Sequence, residues 1–213
     1  MNWFRNNPRS MRTLRYTQTG MTEKLIIVNL AVFVFCAAIP RLEYYLAMIP
    51  SFVLHGWVWQ LFTYMFVHGG LSHIFFNMLS LYIFGRAVEY KLGSNEFLLF
   101  YLAVGLGSGI FSFLVYLLMG WNVILVGASG AIYGVLLLFA VFYPYARIYV
   151  FGLLPVRAPV LIVIYTAIEL YSEVFGVRGG ISHLTHLGGL LIAYLYCLVR
   201  LRIDPVQIFR DSR

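Results

Sequence analysis

Charge is scarce in this chain. Of its 213 residues only 11% are Asp, Glu, Lys or Arg, where a soluble domain carries about 25%. That deficit excludes a fold solvated only by water and points to lipid. Cysteine is scarce as well. Cys36 and Cys197 are the whole complement, with none of the paired spacing of a zinc site, and the sequence places them near opposite ends of the fold, too far apart to bridge. There is no internal repeat, no low-complexity tract and no His-Glu-x-x-His pattern. These absences leave one membrane domain and no separate soluble one.

What the chain has in abundance is apolar surface, 62% of its residues. It falls in six runs, 25–39, 71–85, 97–119, 129–143, 160–175 and 184–201. A helix needs about 20 apolar residues to cross a bilayer. The third run is long enough alone, and the others need flanking residues to complete a crossing. Charges lie between the runs and almost never within them, unlike the charged stripe of a soluble amphipathic helix. The expected fold is therefore an all-α integral membrane protein with six spans in residues 23–203, a basic segment at 1–22 and a tail at 204–213. With the N-terminus in the cytoplasm, 13 of the 15 Lys and Arg residues fall inside, and only Arg41 and Arg178 fall outside. This obeys the positive-inside rule and puts both termini in the cytoplasm. Cys36-Ala37-Ala38 has the small residues of a cleavage site, but a retained first span is the reading taken. The basic N-terminal segment adjoins a membrane span, so anionic lipid, not nucleic acid, is its expected partner.

Residues 40–70 join the first two spans on the outside and hold Tyr44, Tyr45, Phe52, Trp57, Trp59, Phe62 and Tyr64. Trp and Tyr favour the membrane interface, so this long outer loop is expected to lie partly in the outer leaflet as short helices. It would serve as an anchor, and as a support or gate for a site.

All five histidines, His55, His68, His73, His183 and His186, fall on the outer side. Polar groups within a membrane are costly, so their convergence marks a site. At about 1.5 Å per residue, Ser129 lies roughly 21 Å above Tyr143, and His186 roughly 21 Å above Arg200. The hydrocarbon core is about 30 Å thick, so both sit at matching depth below the outer surface. Gly130-x-x-x-Gly134 and Gly189-x-x-x-Ala193 are small-residue pairs that let membrane helices approach closely. Packing those faces brings Ser129 near His186, with Tyr133 one turn below the serine. A serine beside a histidine is a nucleophile beside its base. Gly127-Ala128-Ser129-Gly130 places the serine at a helix N-terminus, where free amides can hold an oxyanion. His73 and Asn77, an i, i+4 pair, offer further donors.

The motifs Trp59-Gln60-Leu61-Phe62-Thr63, His68-x-x-x-x-His73-x-x-x-Asn77, Phe84-Gly85 with Glu89 and Gly93, Gly127-Ala128-Ser129-Gly130 and His186-x-x-Gly189 run in the order of the rhomboid intramembrane proteases, which this chain resembles from about Trp57 to Ala193. The resemblance implies a six-helix bundle with the short fourth helix at its centre. It implies Ser129 as nucleophile, His186 as base, and an oxyanion site lined by Asn77 and His73 beside Gly127 and Ala128. Tyr133 would pack on His186. It implies no cofactor and no metal, and single-span transmembrane proteins as substrates. The plasma (inner) membrane of a prokaryote is the expected location. Gln60, Thr185 and Ala193 depart from common family residues; the last two are expected to loosen the sixth span slightly.

Other chemistries compete. His183-x-x-His186 with His68 or His73 has zinc-ligand character, though no neighbouring carboxylate supports it in sequence. His183 also competes with His186 as base. Glu169 and Glu173 in the fifth run have the look of an ion pathway, without the inverted repeat of a transporter. An inactive rhomboid-like binding protein is the third alternative. The gating element would be the fifth span or the loop 178–182.

Overall fold

The computed structural model describes residues 13–150, 152–175 and 183–212. The loop 178–182, a candidate gate, and residues 1–12 of the basic segment lie outside the described residues. Helix α1 (Met21–Ala38) begins at Gly20, whose φ of 65° a side chain would strain. The Glu89 carboxylate caps it from outside, accepting the amides of Met21 at 2.7 Å and Thr22 at 2.8 Å. Residues between α1 and the next long helix form α2 (Pro40–Leu46), α3 (Pro50–Leu54) and α4 (Gln60–Thr63). Pro40 and Pro50 stand in the first turns of α2 and α3, where the missing N–H has no partner to lose.

Helix α5 runs through Leu71–Leu92, with a π-turn at Leu81–Gly85. It is followed by α6 (Ser94–Leu118), α7 (Ser129–Phe142), α8 (Ala158–Phe175), α9 (His183–Leu201) and the short α10 (Pro205–Asp211). All six apolar runs are thus helical. Among the described residues four helices, α1, α5, α6 and α9, are long and apolar enough to cross a membrane. α7 is apolar but has only 14 residues, and α8 carries Glu169 and Glu173. Ile27, Val34, Phe35, Phe76, Leu118 and Val199 are exposed, an apolar surface that water would not tolerate on this scale. The protein is an integral membrane protein.

The expectation of an all-α chain needs one correction. Between α7 and α8 the strands β1 (Arg147–Val150) and β2 (Leu154–Arg157) pair antiparallel, Arg147 opposite Arg157. Ile148, Tyr149 and Val150 favour extended backbone, and Gly152 supplies the turn with φ 73°. Pro155 is tolerated because both strands of a two-stranded ribbon are edges.

α7 is the most enclosed helix and packs against α6 and α9. Small residues set these distances. A Cβ on Gly189 would run into the Gly130 carbonyl, and one on Gly134 would come within 3.1 Å of Ala193 Cβ. Across the third interface, a Cβ on Gly107 would lie 2.9 Å from Ile192. Thr185 and Ala193 are both buried in these interfaces, and the Thr185 hydroxyl lies 2.7 Å from the Ser112 hydroxyl of α6. The threonine thus contributes a hydrogen bond between α6 and α9.

Candidate active site

Ser129 is the first residue of α7. Three features of the local sequence hold it there. Gly127 has φ 120°, and a Cβ on it would lie 2.7 Å from His73 Nε2, so a side chain there would be strained and would displace the imidazole. The Gly127 amide donates to the Tyr64 carbonyl at 3.0 Å. Two residues earlier, Leu125 pairs with Met48 through both backbone bonds, at 2.9 and 3.0 Å. The segment before the serine is therefore pinned to residues 40–66.

That segment is itself braced. Gln60 is fully buried; its Oε1 accepts the Ile49 amide at 3.1 Å and its Nε2 donates to the Tyr44 carbonyl at 2.8 Å. Thr63 Oγ1 donates to the Leu46 carbonyl at 2.6 Å. Tyr45, Trp57 and Trp59 pack ring against ring, with centroids 5.0 to 5.4 Å apart. Tyr64 descends into α6 at Gly105 and Gly109, donating its hydroxyl to the Gly105 carbonyl at 2.7 Å. The aromatic segment is a scaffold for the glycine turn.

His186 comes from the first turn of α9. Its Nε2 lies 2.8 Å from Ser129 Oγ. The ring stacks on Tyr133 of α7, with centroids 4.2 Å apart and planes 9° apart. Serine, histidine and tyrosine are thus brought together. His183, the competing base, instead turns its Nδ1 to Glu169 at 2.5 Å.

Sequence reasoning does not place Glu169 in this group; the structure does. It lies on α8, is buried, and accepts from three side chains: His183, His186 Nδ1 at 2.9 Å, and the Tyr133 hydroxyl. No carboxylate stands beside the histidines in sequence, and the fold supplies one from another helix. Two signals point to it: Glu169 falls at about the level of Ser129, and it shares one side of α8 with Thr166 and Glu173 at i, i+3 and i+7 spacing. Glu169, His183 and His186 each present a ligand atom within 4.8 Å of the others, a three-ligand set of the kind that also suits zinc.

On the opposite side stand the α5 residues. Asn77 is buried and its Nδ2 donates to the His73 carbonyl at 2.8 Å. That amide has two hydrogens, so one remains for another acceptor. His73 lies edge-on to His68, centroids 5.1 Å apart. His68, in the turn before α5, is buried, and burial, with His73 second, pushes its pKa down to about 4. It is neutral at ordinary pH.

Residues 55–203 match the family model described as the Rhomboid domain. Among curated proteins, the chain is 42% identical to "Rhomboid protease GluP" of Bacillus subtilis over 86 residues, 40% of this chain and 16% of that one. It is 29% identical to "Rhomboid-like protein 16, chloroplastic" of Arabidopsis thaliana over 199 residues, 83% of this chain and 61% of that one. It is also 29% identical to "Rhomboid protein 1, mitochondrial" of Saccharomyces cerevisiae over 134 residues, 62% of this chain and 38% of that one. The chain spans less than two thirds of the length of each. With bacterial, chloroplastic and mitochondrial names among them, these relatives do not support the plasma membrane of a prokaryote as the location.

Proposed function

The chain belongs to the rhomboid family, and we propose that it is an intramembrane serine endopeptidase that cuts transmembrane segments of other proteins near their outer ends. The single observation that carries this reading is the 2.8 Å approach of His186 Nε2 to Ser129 Oγ at the start of a buried helix. In this mechanism His186 takes the serine proton as Oγ attacks the substrate carbonyl, and Tyr133 holds the imidazole in plane. The oxyanion that forms lies at the N-terminus of α7, where the first-turn amides lack helical acceptors, with the second hydrogen of Asn77 and the His73 ring as further donors. His186 then passes its proton to the leaving amine. Water hydrolyses the acyl-enzyme by the same route. A rhomboid-like protein that only binds its partners has no need of this alignment.

The proposed topology is six spans, α1 and α5 to α9, with both termini cytoplasmic and residues 40–70 outside. α7 is short because it starts below the outer surface, at the serine. A transmembrane helix reaches that depth already, but each of its carbonyls is hydrogen-bonded within the helix. Cleavage therefore needs local opening, which Gly and Pro ease by about 1 and 3 kcal/mol relative to Ala. Gly127 lies close against His73 beside the serine, which leaves little room and favours a small residue before the cut bond. The test is a single-span substrate in bilayers, with Ala at that position and Gly or Pro a few residues deeper. It is expected to be cut near its outer end, and Leu in place of the helix breakers to slow the cut without altering insertion. A cut at the cytoplasmic end, or equal cutting of the Leu version, would refute the placement of the site.

A further inference from the structure

Glu169 has no part in a serine–histidine pair, yet it touches more of the site than any other acidic group among the described residues. We propose that Glu169 is a positioning residue that makes the pair a triad: it holds His186 in the tautomer that faces Ser129 and offsets the imidazolium charge formed during attack. The inference rests on the protease reading above.

A neutral imidazole carries one ring hydrogen, and the partner of one nitrogen decides the role of the other. Glu169 Oε1 lies 2.9 Å from His186 Nδ1, on the far side of the ring from Ser129. A carboxylate only accepts, so the hydrogen is on Nδ1 and the lone pair on Nε2, 2.8 Å from Ser129 Oγ. During attack the Oγ hydrogen moves to Nε2 while the Nδ1 hydrogen stays in place. The transient cation then lies against a fixed anion. When the C–N bond breaks, the Nε2 hydrogen leaves with the amine and the neutral tautomer is restored. The carboxylate itself is held at both oxygens, by the Tyr133 hydroxyl on Oε1 and by His183 on Oε2. Tyr133 therefore acts twice, stacking on the imidazole and fixing its acceptor. With the contributions of α7, α8 and α9 meeting at one carboxylate, the imidazole has little freedom to rotate.

The experiment separates chemistry from substrate entry. The full-length parent, Glu169→Gln and Glu169→Asp are purified in detergent and their thermal midpoints measured. Two rates are then taken: inactivation by a small fluorophosphonate, which needs only an activated serine, and cleavage of a transmembrane substrate. Glu169→Gln is expected to slow inactivation and kcat by the same factor, up to about 10⁴, with KM within about twofold. Glu169→Asp, which keeps the charge, is expected to recover most of both rates. If folded Glu169→Gln is inactivated at the parental rate, Glu169 merely anchors α8 and the proposal is wrong. It is equally wrong if folded Glu169→Asp is as slow as Glu169→Gln. A parent whose labelling is abolished by a chelator and restored by zinc would assign Glu169 to metal ligation and also overturn it. A parent that neither labels at Ser129 nor cleaves would instead refute the protease reading from which the inference starts.

Discussion

Two buried glutamates hold opposite ends of α9, and they are built alike. Glu96 reaches the last turns of α9 from α6 and accepts from the Tyr196 hydroxyl at 2.5 Å and from Arg200 Nε and Nη2, both at 3.1 Å. It also accepts the Leu14 amide at 2.8 Å. Glu169 reaches the first turn from α8 and accepts from Tyr133, His183 and His186. Each carboxylate joins a tyrosine hydroxyl to nitrogen donors on α9. The difference lies in the nitrogens. A guanidinium is always charged and has no lone pair to offer, so everything around Glu96 is a donor already spent. An imidazole bonded at one nitrogen has a basic nitrogen left, and that of His186 points at a serine. A buried carboxylate that binds arginine is a clamp. The same carboxylate binding histidine is a clamp whose other end can do chemistry.

The comparison is broken most severely at the serine and histidine. Ser129→Ala and His186→Ala are each expected to lower turnover of a transmembrane substrate by on the order of 10⁶, with thermal midpoints close to the parent's. A folded Ser129→Ala protein with substantial activity would remove the distinction between the two ends of α9. Next comes Asn77→Ala, expected to reduce kcat by about 10²–10³ with little change in KM. If it alters only KM or only the melting temperature, Asn77 is a cross-link within α5, as its bond to the His73 carbonyl alone would make it. The smallest effect on chemistry is expected at the inner clamp. Glu96→Gln should lower the thermal midpoint by about 2–4 °C for a chain of this size and leave the rate of serine labelling at the parental value. A Glu96 variant that labels slowly without melting earlier would show the two glutamates to be coupled through α9.

The outer site is legible in the sequence in part, and the reason is geometric. Ser129 and His186 lie on helices whose far ends are marked by charges and whose facing residues are small, so position along each helix and rotation can both be read. Gly130, Gly134, Gly189 and Ala193 do meet across α7 and α9. Glu169 cannot be read in this way. α8 has no glycine stripe; Thr166, Glu169 and Glu173 share one side of it at helical spacing, but nothing in the chain says which neighbouring helix that side meets. The hairpin at Arg147–Arg157 is hidden for a different reason: four-residue strands are too short to show an alternating pattern over their exposed ends. Gln60 and Thr185 stand out in sequence as departures from a pattern. Both are buried and bonded to other elements, partners that lie far along the chain or across a helix interface. Pro40 and Pro50, by contrast, mark the starts of α2 and α3 within the aromatic loop.

Activation of Ser129 by His186 is the step on which the proposed function depends. The most direct measurement is the intact mass and peptide map of the detergent-purified protein after treatment with a fluorophosphonate, beside His186→Ala treated identically. One adduct per chain is expected, on Ser129, and none on the His186→Ala protein over the same time. An adduct on another serine, labelling of Ser129 in His186→Ala at the parental rate, or no adduct on the folded parent would contradict it.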